Sequence, residues 1–365
     1  MKLTAFIAPA MLSTALWATP LSAADFSGGS QGNGETPRGD ITDQDFSLRE
    51  ATPVLPKLGK DEATRAAPIT DEQAVIRSLT AVGKSSDGKE LKVEPSDALK
   101  QAVKQMLDAP EGGANKTSGP SKVEDPAFKA GAEAERKVFG DDDRIQIANT
   151  KIYPFSAIGY LESKDLKGQY ESCSATLIGP STVLTAAHCL YNHDAGGWQD
   201  EIFFVPGLNG STANDAPYGG YEYQDAYVVQ GYIDNYQGFY GSVLPWDIGI
   251  VTLKQPVGQN LGWLGYANYD NLGDFTANIV GYPGDKPAGT MWRATCNVLS
   301  ENVGDGYFQY DCDTFPGSSG SAVYAYDEGQ KARVVVGVNV AESEDANTAV
   351  RVNAAYLEWI NNLNK

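Results

Sequence analysis

Residues 173–189 have the sequence CSATLIGPSTVLTAAHC, in which two apolar runs flank a Gly-Pro turn and the second run ends at His188 and Cys189. Apolar and β-branched residues on both sides of such a turn predict two short neighbouring strands. The backbone therefore holds His188 in place at a strand end. A lone histidine in this position is most often structural, so its meaning depends on what the rest of the chain supplies.

A second element is a single carboxylate at the start of another apolar strand. Residues 246–251 have the sequence WDIGIV, which places Asp247 directly before that strand. Aspartate is rarely buried without a partner, and an imidazole N–H is a natural one because it fixes the tautomer and stabilises the imidazolium. Taken alone, Asp247 is more typical of a turn residue or a strand cap.

A third element is the small-residue cluster GSSGS at residues 317–321, which precedes the apolar run that starts at Ala322. Small residues let the backbone turn sharply and approach a substrate closely. The amides of Gly317 and Ser319 are then able to point at a developing oxyanion, at roughly 3 kcal/mol per donor. Such a cluster is otherwise a common loop. The chain order His, Asp, Ser, with each residue at a strand edge, makes the combination specific.

Composition excludes several classes of function. With 28 Lys and Arg against 47 Asp and Glu, the net charge of −19 argues against a nucleic-acid or membrane partner. The only histidines are His188 and His193, and they form no HExxH pair. The four cysteines show no CxxC spacing, so we predict no metal site. We also predict that no cofactor is needed. The acidic residues 141–143 are a possible calcium site, but such a run is more often simply solvated. His193 is expected at the surface.

The amino terminus resembles a secretory signal. Lys2 precedes an apolar stretch over residues 3–17, and Leu21-Ser22-Ala23 supplies the small residues of a cleavage site. A membrane anchor is the alternative, but the uninterrupted run is shorter than the roughly 20 residues that a spanning helix needs. We therefore predict a signal peptide at residues 1–23, a secreted protein (extracellular or periplasmic) and paired cysteines.

Residues 24–137 contain no Tyr, Trp or Cys and are rich in small, polar and charged residues. Apolar spacing predicts short helices over residues 71–79 and 95–107. We interpret this region as a partly ordered pro-region, with a disordered spacer as the alternative. The Arg136-Lys137 pair at its end is a candidate cleavage site.

Residues 138–365 are predicted to be mostly β. Short apolar and β-branched runs alternate with turn residues, a pattern typical of a sandwich or barrel. The predicted strands are residues 174–178, 182–187, 201–205, 227–233, 247–253, 275–281, 322–326 and 333–340. Tyr356, Trp359, Ile360 and Leu363 share one helical stripe, which predicts a terminal helix packed on the β body.

This region resembles the chymotrypsin-fold (trypsin-like) serine endopeptidases, in particular the glutamyl endopeptidase branch. The resemblance is carried by residues 143–147, 153–159, 173–189, 247–248, 313–314, 317–321 and 350–352, and by the last helix. It implies an all-β double six-stranded barrel with a C-terminal helix and a catalytic cleft between the barrels. It also implies disulfides Cys173–Cys189 and Cys296–Cys312, and a mature chain starting near Val138.

The resemblance assigns roles to the three motifs: His188 as general base, Asp247 as its orienting carboxylate and Ser319 as nucleophile. Gly317 and Ser319 would form the oxyanion hole. Ser318 stands where trypsin-like zymogens carry the aspartate that binds the new amino terminus, so latency is expected to come from the pro-region.

Three residues align with the specificity pocket of this family. Asp313 takes the position of the acidic pocket base in trypsin, Thr314 matches the glutamyl branch, and Asn339 replaces that branch's histidine. Asn supplies no positive charge, and Glu342 lies just beyond the pocket strand. We therefore expect cleavage after Lys or Arg, with Glu as the second choice.

Together these features predict a secreted, monomeric serine endopeptidase made as a preproenzyme. Its expected partners are protein or peptide substrates and its own pro-region. The alternatives are a catalytically inactive binding module and a serine esterase on the same fold.

Overall fold

The computed structural model describes residues 26–32, 51–59, 62, 69–108, 119–130 and 142–364. The predicted signal peptide, the Arg136-Lys137 junction and Asp141 lie outside these residues. The elements, in chain order, are β1 (Phe26–Ser27), β2 (Thr52–Pro53), α1 (Glu72–Ser78), β3 (Ala81–Ser85), β4 (Glu90–Val93), α2 (Asp97–Asp108), β5 (Ile145–Gln146), β6 (Ile158–Lys164), β7 (Tyr170–Leu177), β8 (Thr182–Thr185), β9 (Tyr191–Asn192), β10 (Gly197–Trp198), β11 (Glu201–Pro206), β12 (Tyr221–Val229), α3 (Gln230–Asp234), β13 (Gly249–Leu253), α4 (Gly258–Leu261), β14 (Gly265–Ala267), β15 (Phe275–Gly281), β16 (Trp292–Val298), β17 (Tyr307–Tyr310), β18 (Ala322–Asp327), β19 (Ala332–Glu342), β20 (Asn347–Arg351) and α5 (Ala354–Leu363).

The first barrel consists of β6, β7, β8, β13, β12 and β11. These strands pair in the order β11-β6-β7-β8-β13-β12, and a further pairing between β11 and β12 closes the sheet. The closing pair aligns Phe203 with Glu222 and Phe204 with Tyr221. Closure leaves no open edge among these strands. The disulfide Cys173–Cys189 ties β7 to the turn that follows β8, as predicted.

The second barrel-like sheet is built on β15–β20, and β14, β1 and β5 extend it. Hydrogen bonds join β15–β20 in the order β16-β15-β18-β19-β20-β17. The disulfide Cys296–Cys312 connects β16 to the chain just after β17, the two ends of that order. The two sheets and the helix α5 confirm the predicted double-barrel fold. The helix begins at the N-cap Asn353, whose side chain accepts from Tyr356 N–H.

The predicted pro-region adds elements to both sheets. Strands β3 and β4 form a hairpin whose first strand pairs with β12, from Asp225–Ser85 to Val229–Ala81. Helices α1 and α2 confirm the two helices predicted there. Leu99 and Val103 of α2 are buried in the same hydrophobic core as the first barrel. Helix α2 of the predicted pro-region is therefore continuous with the core of the first barrel.

A buried ion pair anchors residues 119–130 to the second sheet. Asp125 is completely buried and accepts from Arg333 Nε at 2.6 Å and Nη2 at 2.7 Å. Tyr324 Oη donates to the same carboxylate at 3.0 Å. A bidentate pair with all its partners satisfied is geometrically specific. Residues 119–130 are thus fixed on the second sheet. None of the described helices is long and apolar enough to span a membrane.

Candidate active site

His188 lies in a single 3-10 turn, Ala187–Cys189, directly after β8. Ala186 and Ala187 are fully buried, and the side chain of His188 is 6% exposed. The disulfide from Cys189 to Cys173 fixes the far side of the turn. The histidine is therefore held by covalent and packing constraints on both sides, as its sequence context indicates.

Asp247 is completely buried and bonded to His188 through both carboxylate oxygens. Its Oδ1 accepts from the backbone N–H of His188 at 2.9 Å, and its Oδ2 lies 2.7 Å from the imidazole Nδ1. An ionised carboxylate only accepts hydrogen bonds, so Nδ1 carries the proton in this contact. The second ring nitrogen, Nε2, is left as an acceptor.

Tyr240 completes the shell of the Asp247 carboxylate, and the sequence analysis missed it. Its hydroxyl donates to Asp247 Oδ2 and lies 3.2 Å from the carbonyl of Val340. Burial, with the nearby Asp247 charge, raises the pKa of Tyr240 well above its ordinary value, so the hydroxyl stays protonated. No local pattern marks this residue, because it lies in irregular chain between α3 and β13.

The 317–321 turn depends on two glycines with positive φ. Gly317 has φ of 102° and Gly320 has φ of 80°, a region that other residues rarely adopt. A Cβ on Gly320 would lie 2.1 Å from Thr185 Oγ1, so the turn packs directly against the end of β8. The carbonyl of Ser319 accepts from Ser174 N at 2.7 Å. Ser319 is thereby fixed at the same end of the β7–β8 pair as His188.

Several buried polar atoms in this region have no hydrogen-bond partner among the described residues. Ser319 Oγ and His188 Nε2 are two of them, and Ser321 Oγ of the same turn is another. Such groups are rare in folded proteins and often indicate a catalytic role. Beside them, the N–H of Gly317 donates to the carbonyl of Val54 at 2.9 Å. The turn thus already presents one amide to a peptide carbonyl.

The three predicted pocket residues have different surroundings. Asn339 is completely buried; its Oδ1 accepts from Tyr310 Oη at 2.5 Å, and its Nδ2 donates to the carbonyl of Ser318 at 3.0 Å. Thr314 Oγ1 is buried without a partner in the described chain. Asp313 Oδ2 accepts from the backbone N–H of Asp143 at 3.1 Å. Asp313 therefore faces the segment that precedes β5.

One group of potential metal ligands lies together in the part of the chain that the structure describes. Cys173, His188 and Cys189 lie close enough together to share an ion, but both cysteines are in a disulfide and offer no thiolate. In the acidic run, Asp142 is bonded to Arg144 and Lys286. Its carboxylate is already neutralised, which does not favour the calcium alternative.

The family profile described as Trypsin matches residues 146–360. The chain belongs to the trypsin family. It is 33% identical over 216 residues to a glutamyl endopeptidase of Bacillus licheniformis, covering 57% of this chain and 63% of that protein. It is 32% identical over 218 residues to an extracellular metalloprotease of Bacillus subtilis, covering 58% of this chain and 66% of that protein. The chain thus matches slightly less than two thirds of either relative.

A solved Glu endopeptidase in complex with MPD has a similar fold. The TM-score is 0.53 at 30% identity, covering 62% of this chain and 99% of that one. These matches confirm the resemblance to the glutamyl endopeptidase branch of the chymotrypsin fold.

Neutralising Asp143 and neutralising Asp142 should change the melting temperature in opposite directions. Burial and the Asp313 charge raise the pKa of Asp143 from 3.8 to about 6. The folded chain then holds this proton more tightly than the unfolded chain, so the stability it contributes is full below 3.8 and is lost as the pH rises through 6. We expect Asp143→Asn to raise the melting temperature at pH 8, but not at pH 3.5. Solvent screens this half-exposed group, so the gain should be about 1–3 °C.

The matched control is Asp142→Asn, measured by calorimetry in the same background. Hydrogen bonds from Arg144 and Lys286 hold the pKa of Asp142 far below its ordinary value, so its neutralisation should lower the melting temperature at pH 8. A lower melting temperature for Asp143→Asn at pH 8 would contradict the assigned repulsion between Asp143 and Asp313.

Proposed function

We propose that this chain is a serine endopeptidase in which Ser319 is the nucleophile, His188 the general base and Asp247 its orienting carboxylate. The observation that carries the proposal is the bond between Asp247 Oδ2 and His188 Nδ1 at 2.7 Å. It leaves Nε2 as a free acceptor at the site where Ser319 Oγ is also unpaired. The two atoms are not hydrogen-bonded to each other in this structure, and general-base activation of Ser319 requires that contact to form.

The proposed reaction has two stages. As Ser319 Oγ bonds to the peptide carbonyl carbon, its proton passes to Nε2, and the amides of Gly317 and Ser319 stabilise the oxyanion. The imidazolium then protonates the leaving nitrogen as the C–N bond breaks, leaving an ester on Ser319. Water, deprotonated by the same imidazole, hydrolyses that ester. No step requires a metal or a cofactor.

We further propose that residues 1–23 are a signal peptide, residues 24–137 a pro-region and residues 138–365 the mature, monomeric protease. The two disulfides support export, since such bonds persist in oxidising compartments. One relative is named an extracellular protease. The continuity of the pro-region with the core supports a role in folding and latency before cleavage at the Arg136-Lys137 junction.

For substrate preference, two candidates have separate support. The sequence favours Lys or Arg because of the Asp313 carboxylate. However, Asp313 Oδ2 is engaged by Asp143, and two relatives are named for action on Glu. The unpartnered Thr314 hydroxyl is able to donate to a substrate carboxylate. We therefore propose Glu as the preferred residue and keep Lys or Arg as the second candidate.

Active-site labelling tests the assignment of the nucleophile. We expect a fluorophosphonate probe to label the processed protein at Ser319 and to leave Ser319→Ala unlabelled. Peptide hydrolysis by Ser319→Ala should fall by several orders of magnitude, to a residual rate that substrate binding and the oxyanion hole still support. Absence of labelling in the processed wild type would favour an inactive binding module. Hydrolysis of esters without peptides would favour an esterase.

Substrate preference is tested by mass spectrometry of a digested protein mixture. We expect most cleavages after Glu, and we expect Thr314→Val to reduce them about tenfold, since one hydrogen bond to a charged group is lost. Predominant cleavage after Lys or Arg, lost in Asp313→Asn, would contradict this preference and restore the basic-residue prediction.

Tyr240 is proposed as a positioning residue for Asp247. Tyr240→Phe removes one donor from the carboxylate, so we expect kcat to fall about tenfold with KM unchanged. The control is Tyr236→Phe, which removes a hydroxyl 3.5 Å from Asp194. Equal effects of both variants on kcat, or a Tyr240→Phe effect on KM alone, would contradict the role.

A further inference from the structure

Residues 51–59 of the predicted pro-region lie directly across the candidate active site. The upstream limb, up to Val54, follows β7: the N–H of Val54 donates to the carbonyl of Ser172 at 3.0 Å. The downstream limb, residues 56–58, follows the end of β19. There, Glu342 N–H donates to the carbonyl of Pro56 at 3.0 Å, and Leu58 N–H donates to the carbonyl of Glu342 at 2.8 Å.

Between the limbs, the carbonyl of Val54 accepts the N–H of Gly317 at 2.9 Å. This is the amide that the proposed mechanism assigns to the oxyanion. Ser319 Oγ and His188 Nε2 have no solvent exposure. Leu55 and Leu58 are 6% and 8% exposed. The segment therefore fills the position of a substrate peptide, with one carbonyl at the oxyanion hole.

Both limbs pair with the protease in parallel. Thr52 and Pro53 align with Glu171 and Ser172 in a parallel register, and Lys57 forms a parallel bridge with Glu342. The segment passes from the β7 side to the β19 side. The β7 side contains Cys173, whose disulfide partner Cys189 directly follows His188.

Direction decides whether such a peptide is cleaved. The leaving nitrogen must lie on the imidazole side of the oxyanion hole, because His188 has to give it a proton. For the carbonyl of Val54, that nitrogen belongs to Leu55, at the start of the limb that runs to Glu342. The limb on the imidazole side, beside the Cys173–Cys189 bridge, is instead the upstream limb, which precedes the carbonyl of Val54.

We propose that residues 51–58 are a built-in inhibitor bound in the reverse of the productive direction. The inference rests on the proposed function. If Ser319 Oγ adds to the carbonyl carbon of Val54, the Leu55 nitrogen is out of reach of the imidazolium proton, so the C–N bond is retained and the adduct reverts. Pro53 and Pro56 restrict the backbone of the free segment, which lowers the entropy lost when it binds. The segment thus blocks the site without being consumed.

The same segment contains both the buried positions to be changed and an exposed control position. Leu55 and Leu58 are buried, whereas the side chain of Lys57 between them is 81% exposed. Replacing a buried leucine by Gln places an unpaired amide in the interface, which weakens binding of the segment. The same replacement at Lys57 places that amide in water. Lys57→Gln also removes an ion pair with Glu342, whose Oε1 lies 3.7 Å from Lys57 Nζ, but a pair with so exposed a lysine contributes little. The three positions therefore share one substituent and differ mainly in burial.

The test measures fluorophosphonate labelling of the full-length, unprocessed band on a gel. We expect slow labelling of the wild type, at least tenfold faster labelling of Leu55→Gln/Leu58→Gln, and labelling of Lys57→Gln within twofold of the wild type. Equal labelling of all three chains, with the processed wild type labelled rapidly, would overturn the inhibitor while leaving the proposed function intact. No labelling even of the processed wild type would instead overturn the proposed function.

The direction of binding has a separate readout. The test uses Val54→Glu, because the proposed preference for Glu would by itself spare a bond that follows Val. After prolonged incubation of this variant, mass spectrometry should find the bond before Leu55 intact while other sites in the pro-region are cut. A fragment that ends at position 54, absent when Ser319→Ala is added, would show productive binding and overturn the reversed direction.

Discussion

The buried carboxylate of Asp247 is the group on which the candidate site depends. It has no solvent exposure, and a charge in that position is tolerated only when it is fully hydrogen-bonded. The backbone and ring of His188 and the hydroxyl of Tyr240 supply those bonds. Two of these donors belong to His188 itself, so satisfying the charge also fixes the imidazole. The fold around it, a disulfide on one side and two glycines of positive φ on the other, brings Ser319 to the same strand end.

The predicted pro-region packs on both sheets of the molecule. The hairpin β3–β4 continues the first sheet, Leu99 and Val103 enter its core, and Asp125 pairs with a buried arginine of the second sheet. Residues 51–58 then cross the cleft between these attachments. An inhibitor anchored on both sides of its target has a high effective concentration there, because its binding is intramolecular. We thus attribute latency in this chain to the covering of Ser319 by residues 51–58. This agrees with Ser318, which stands where trypsin-like zymogens carry the aspartate that binds the new amino terminus.

The sequence predicted the double barrel from its alternating apolar runs, and the family resemblance implied both disulfides that the structure contains. The motifs around His188, Asp247 and Ser319 each have a local signature, and the catalytic roles of these residues stay a prediction. The sequence failed where tertiary contacts decide the structure. The strand predicted at residues 227–233 ends at Val229 and is followed by helix α3, and the barrel strands β6, β16, β17 and β20 were not among those predicted. Strands β3 and β4 were missed because the hairpin that they form is stabilised by pairing with β12, which is distant in the sequence. Tyr240 and residues 51–58 lack any pattern, since their partners are far away in the chain.

The tautomer of His188 tests the central claim most directly, and the chain offers an internal reference. His193 Nε2 lies 3.0 Å from the carbonyl of Tyr232, so this second histidine should carry its proton on Nε2. Nitrogen NMR of the ¹⁵N-histidine-labelled protein above neutral pH, assigned with His193→Gln, should therefore give two opposite tautomers: Nδ1–H for His188 and Nε2–H for His193. Protonation of His188 on Nε2 would mean that Asp247 does not hold the ring, and it would contradict the assigned line from carboxylate to imidazole to serine.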